Sequence, residues 1–362
     1  MEKSPGFHGS DLEAAAAFYQ LSPDEVVRFG ANVNPLGFPE SIKQILAGRL
    51  DVLGAYPDRD YRALRQAIAG YCRADMENII VGNGSTELIS LLIQARKARH
   101  ALVIAPTYSE YDRELGLNGG DIDYFYLLEE EDFVLDAERL SRKIREGYDF
   151  VILCNPNNPT SSAVKNGDIV RILDVLTETG GFLMIDETYV EFAPDPDAVT
   201  AVPLTGIYAN LMVLRGVSKF FAAPGLRLGY GITGSPSLMK ELHRLQNPWS
   251  LSSIGALAGE LLFQDKDYIR RSRTLITKER ERMYQALLSM PGFHPFPPSA
   301  NFILVRLEKP GLTSAQVFDA LMRRKMMIRD CSSFQSLGGE YIRFCIMLPE
   351  DNTRLLLALS TL

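Results

Sequence analysis

The sequence is poor in the residues that hold metals or staple small folds. Its four cysteines (Cys72, Cys154, Cys331, Cys345) and four histidines (His8, His100, His243, His294) are scattered through 362 residues. With no C-x-x-C pair and no close histidine pair, zinc-type ligand spacing is absent, no metal is expected, and a disulfide scaffold does not suit a chain of this length. Excess positive charge is also missing. Lys and Arg number 38 against 45 Asp and Glu, giving a net charge of −7 and a pI near 5.3, which argues against sequence-independent nucleic-acid binding. No apolar run reaches the roughly 18 residues of a membrane span. The opening "MEKSPGFHGSDLEAAAAFYQ" lacks the cationic segment and apolar core of a signal peptide, so a cytoplasmic location is expected.

What is present is an ordinary globular composition, 46% hydrophobic and 23% charged, in a chain long enough for about two domains. Short apolar runs recur at 78–84, 100–106, 148–159, 181–189, 211–219 and 227–234, with helical spacing between them. Near-continuous apolar strands joined by helices predict an α/β three-layer domain around a largely parallel sheet. After "NPWS" (247–250) the texture changes to a long helical pattern over roughly 253–290. Two strand-like runs follow, "NFILVRL" (301–307) and "YIRFCIM" (341–347). The expected organisation is an N-terminal arm over 1–30 that packs with the small domain, a large domain over 31–248, and a small α+β domain over 249–362.

In open α/β sheets, ligands sit beyond the carboxyl ends of the strands. Those ends carry Gly82-Asn83-Gly84-Ser85-Thr86, Pro106-Thr107-Tyr108, Asn155-Pro156-Asn157, Asp186-Glu187-Thr188-Tyr189 and Ser218-Lys219. Glycines before a helix let backbone N–H groups approach an anion, although Ser85 also reads as an ordinary helix N-cap. Asp186, after an apolar strand, needs solvent or a cationic partner. Lys219 sits between two apolar segments, where a neutral amine could form a Schiff base with an aldehyde. Each signal alone is weak, and together they describe one phosphate-bearing aldehyde cofactor.

The stretches "NPNNPT", "IDETY" and "SKFFAAPGLRLGY" resemble, in this order, the class I/II aminotransferases, pyridoxal 5′-phosphate (PLP)-dependent enzymes of fold type I. The resemblance covers essentially the whole chain. It implies an aspartate aminotransferase-like α/β/α large domain with a smaller α+β domain, and PLP as cofactor. Lys219 resembles the lysine that bonds the cofactor aldehyde and then moves protons at the substrate Cα. Asp186 resembles the partner of the pyridine nitrogen, Asn157 and Tyr189 the donors to the ring oxygen, and Tyr108 the aromatic stacked on the ring. Gly84, Ser85, Thr86, Ser218 and Arg227 resemble the phosphate shell. Tyr56, in "GAYPDRDYRALRQAI", resembles the tyrosine that crosses to the partner's cofactor, which implies a homodimer.

Within that family the sequence is most similar to the branch of histidinol-phosphate aminotransferase and threonine-phosphate decarboxylase. "FHGSDLEAAAAFYQL", "NPWSLSSIGALAGE" and "IRDCSSFQSLGGEYIRF" lean toward the decarboxylase. They imply a substrate shell of His8, Gly9, Asn32, Asn157, Arg329 and Arg343, acting on a small phosphorylated amino acid or amine, with a place in cobalamin biosynthesis. The alternatives are transamination, as by histidinol-phosphate aminotransferase, or more distantly an aminotransferase-like sensor domain. A nucleotide-binding oxidoreductase leaves Lys219, Asp186 and Asn157 unexplained. Two departures stand out: Ser10 where the decarboxylase motif has a second glycine, and Gly216 where a phosphate-binding hydroxyl is usual.

Overall fold

A computed structural model describes residues 11–362. Its larger sheet contains seven strands: β1 (Ile79–Asn83), β2 (His100–Ala105), β3 (Asp121–Tyr126), β4 (Phe150–Cys154), β5 (Phe182–Asp186), β6 (Leu211–Gly216) and β7 (Leu228–Ile232). They lie in the order β1-β7-β6-β5-β4-β2-β3. Neighbouring strands run parallel except at β7, which is antiparallel to both β1 and β6. Strands β4, β5 and β6 are buried along their whole length, as expected of strands covered by helices on both faces.

Strand β3 went unread in the sequence. Its residues, "DIDYFY", are mostly exposed or half-buried at the sheet edge, so the apolar run that marks the interior strands is missing. The helix expected over 253–290 is two helices, Ser253–Leu262 and Lys266–Leu288. The Asp265 side chain accepts from the Tyr268 amide at 2.9 Å and starts the second, a local cap that competes with continuation of the first.

The smaller sheet has four antiparallel strands in the order β10-β11-β9-β8: β8 (Phe293–Pro295), β9 (Phe302–Leu307), β10 (Arg329–Asp330) and β11 (Tyr341–Cys345). Residues 27–30 join it. Val27 bridges Met326, the Gly30 amide donates to Met327 O at 2.8 Å, and the Cys345 amide donates to Phe29 O at 2.8 Å. One cavity opens between the carboxyl ends of the larger sheet and the β10–β11 edge of the smaller. Among the described residues, no helix is long and apolar enough to cross a membrane.

Candidate active site

The cavity measures about 610 Å³, and Ser85, Thr86, Tyr108, Asp186, Tyr189, Ser218, Lys219, Arg227, Asn32, Arg329 and Arg343 all line it. These residues span 312 positions of sequence, from 32 to 343. The topology gathers them because strand ends β1, β2, β5 and β6 face β10 and β11.

Lys219 follows the end of β6, half-buried, and its Nζ donates to Ala31 O at 2.7 Å. Withdrawal from water, reinforced by the nearby Arg343 cation, lowers its pKa to about 8. The amine is therefore neutral more readily than an ordinary lysine, as a nucleophile requires. Asp186, at the tip of β5, is buried but well partnered. Its Oδ1 accepts from the Thr188 amide (3.0 Å) and hydroxyl (2.6 Å), and its Oδ2 accepts from Tyr111 (2.7 Å).

The turn after β1 is built tightly. Its helix starts at Gly84 with Asn83 as cap, so Ser85 lies inside the first turn and is not the N-cap the sequence suggested. Glu87 instead accepts from the Asn83 amide at 2.6 Å. Gly84 has φ +80°, and a Cβ there would lie 2.5 Å from Arg227 Nη2. Arg227 itself has φ +51°, an uncommon conformation for a residue with a side chain. It follows the short Pro224–Leu226 helix that turns the chain back into β7. Gly84 backs the Arg227 guanidinium without lining the cavity, whereas Gly216 lines it with no hydroxyl.

Tyr189 accepts from Asn32 Nδ2 at 3.4 Å, which leaves its own O–H proton free to donate. Burial pushes its pKa up and keeps that proton in place. Burial also raises the Tyr108 pKa, to about 12.

Asn157 does not line the cavity. Its amide donates to Pro106 O and Thr160 Oγ1, both at 2.9 Å, and its Oδ1 accepts from Thr107 at 3.2 Å. The next residue, Asn158, lines the cavity and accepts from Arg343. Sequence offers no way to choose between two consecutive asparagines flanked by prolines; the path of the turn decides.

Arg329 and Arg343 are directly opposed across β10 and β11. Arg343 also donates from Nη2 to Gly30 O at 2.9 Å, and Arg329 to Ser333 Oγ at 2.8 Å. Phe334 lies under both guanidinium groups, at 5.2 Å from Arg329 and 6.0 Å from Arg343. Burial, then the Arg343 charge, lowers the Arg329 pKa. Sequence reasoning gave no role to Phe334, Thr188 or Tyr111, although Thr188 was named at a strand end and Phe334 lies in a quoted segment. Tyr56 lies outside the cavity, 81% exposed, with its ring 4.9 Å from Trp249. His8 and Gly9 lie outside the described residues.

The donor set tests well against the expected cofactor. Hydroxyls, a helix start and Arg227 suit a phosphate, Asp186 suits a protonated ring nitrogen, and Lys219 suits an aldehyde carbon. An amine, a carboxylate and an anion-holding turn in this arrangement on an α/β sheet define a pyridoxal 5′-phosphate-dependent enzyme. The chain belongs to the aminotransferase class I and II family, which it matches over residues 24–359.

It is 40% identical over 332 residues to a provisionally assigned threonine-phosphate decarboxylase of Caldanaerobacter subterraneus subsp. tengcongensis, covering 92% of this chain and 89% of that one. It is 34% identical over 352 residues to threonine-phosphate decarboxylase of Salmonella typhimurium, covering 97% and 95%. Among solved structures, histidinol-phosphate aminotransferase from Clostridium acetobutylicum matches with a TM-score of 0.86 and 33% identity, covering 92% of this chain and 98% of that one.

Proposed function

We propose that this chain is a threonine-phosphate decarboxylase-like enzyme, releasing CO₂ from a small phosphorylated amino acid. The observation that carries the reading is the opposition of Arg329 and Arg343. Like charges directly across an antiparallel pair repel, and here both guanidinium groups line the cavity, where a doubly anionic ligand offsets that repulsion. A substrate bearing both a carboxylate and a phosphate does so, and guanidinium groups suit both anions. The two curated relatives described above support the same substrate class.

In this reading Ser85, Thr86, Ser218 and Arg227 hold the cofactor phosphate, with Gly84 setting the approach. Tyr108 covers one ring face, Asp186 meets the ring nitrogen, and Tyr189 with Asn158 donates to the ring oxygen. When bound, the cofactor supplies an electron sink that weakens the bonds at the substrate Cα. The chain's own part is orientation and proton movement. Arg343 and Arg329, with Asn32 and the arm residues His8 and Gly9 around them, fix which Cα bond is set for cleavage. Lys219 returns a proton to Cα after the carboxylate leaves.

Phosphothreonine incubated with the PLP-loaded enzyme is expected to release one CO₂ per amine product, without accumulating keto acid. Keto acid without CO₂ would overturn decarboxylation and favour transamination, the reading that similarity to the Clostridium enzyme supports.

The domain arrangement proposed is an arm before residue 31 serving the small domain of 249–362, with 31–248 as the cofactor domain. We also place Tyr56 in a homodimer interface, reaching the partner subunit's cofactor phosphate. Its exposure, its tilted ring contact with Trp249 and the exposed Leu50 and Leu53 nearby in sequence support a covered surface. Sedimentation is expected to give twice the 40.4 kDa chain mass. A monomer with full activity would remove the shared site.

A further inference from the structure

Asp186 has a task in the cofactor site, while Tyr111 has none so far, although it is fully buried and lines the same cavity. Its hydroxyl donates to Asp186 Oδ2 at 2.7 Å, opposite the two Thr188 donors on Oδ1. Its ring meets Tyr108 edge-on, with centroids 5.6 Å apart and planes at 88°. Tyr111 lies in the first turn of the helix Glu110–Leu117, three residues beyond Tyr108. One short segment therefore carries the residue that would cover the ring and the residue that holds the carboxylate beneath it.

We propose that Tyr111 is a positioning residue for the cofactor's ring nitrogen: by donating to Asp186 Oδ2 it holds the carboxylate in the orientation that meets the ring nitrogen and keeps it protonated. A hydrogen bond donated to a carboxylate favours its ionised form. Removing the Tyr111 donor leaves Oδ2 without the bond that holds it while Thr188 still holds Oδ1, so the carboxylate is free to turn from the ring nitrogen, leaving a less firmly protonated and less electron-withdrawing ring. Burial first, then the Asp186 charge, holds the Tyr111 pKa well above that of an ordinary phenol, so Tyr111 remains a donor. The inference rests on Asp186 being the ring nitrogen's partner.

Phenylalanine at 111 preserves the ring and its contact with Tyr108 while deleting only the hydroxyl. The test loads wild type, Tyr111→Phe and Asp186→Asn with PLP labelled with ¹⁵N in the ring and records the nitrogen resonance. Wild type is expected at the protonated position, and Tyr111→Phe displaced toward the unprotonated one. The turnover number of Tyr111→Phe should fall roughly tenfold, as for a lost hydrogen bond to a charged group, with KM nearly unchanged. A residue that only packs would leave the resonance in place. A wild-type resonance in Tyr111→Phe beside a displaced one in Asp186→Asn overturns the role of Tyr111 alone. A wild-type nitrogen that is unprotonated, or insensitive to Asp186→Asn, overturns the Asp186 assignment beneath it.

Discussion

Replacing Lys219 by alanine is expected to abolish turnover, with a loss of at least about four orders of magnitude, because in the proposed function one side chain both bonds the cofactor and moves the proton. The second task cannot pass to a neighbour. Ala31 O, 2.7 Å from Nζ, has no proton to give, and Tyr189 is held as a phenol by burial. Intact-mass measurement after borohydride reduction separates the two roles. Wild type should gain the mass of the reduced cofactor, whereas Lys219→Ala should gain none even while binding PLP reversibly.

The sign of the pH dependence follows from the lowered pKa of about 8. Below that value the amine is an ammonium and captures the aldehyde slowly. Capture accelerates as pH rises through about 8 and levels off above it. A Lys219→Ala variant that turns over substrate at even a hundredth of the wild-type rate would sink the assignment.

Arg343→Ala is expected to lower kcat/KM by about three orders of magnitude, the scale on which a buried charge loses its partner. Arg343 donates to Asn158 and to Gly30 O, and it stands opposite Arg329. Its loss therefore removes the proposed substrate anchor and the donor that holds the cavity-lining Asn158. A lysine at 343 retains the charge without the planar fork and should recover only part of the loss. The substitution also has a distinctive second signature. Arg343 helps depress the Lys219 pKa, so removing this cation should move the rising limb of aldehyde capture to higher pH. Steady-state kinetics and a pH series of capture measure the two effects separately. A fall of less than tenfold would show that the substrate carboxylate is held elsewhere.

The interior of the larger sheet was legible because β4, β5 and β6 are unbroken apolar runs with polar residues at their carboxyl ends. Strand β3 was not, since an edge strand with one covered face carries a mixed pattern. The cavity positions of Lys219, Asp186 and Arg227 were legible because Asp186 ends β5, Lys219 lies just past β6 and Arg227 just before β7. The cavity-lining Asn158 could not be told from Asn157 because a one-residue difference in a turn lies below what composition and spacing resolve. Tyr111 was invisible for another reason. Its partner Asp186 lies 75 residues away, and nothing local distinguishes a buried phenol that packs from one that donates.

The meeting of Gly30 and Ala31 with Arg343 and Lys219 has a consequence for the order of synthesis. Most of the cofactor-facing residues lie between positions 85 and 227, so they leave the ribosome well before β10 and β11. Arg329 and Arg343 are made after these, and only then can Gly30 and Ala31, made before all of them, find both of their cationic partners. A chain arrested before β11 therefore lacks the arginine pair and cannot assemble the substrate end of the cavity.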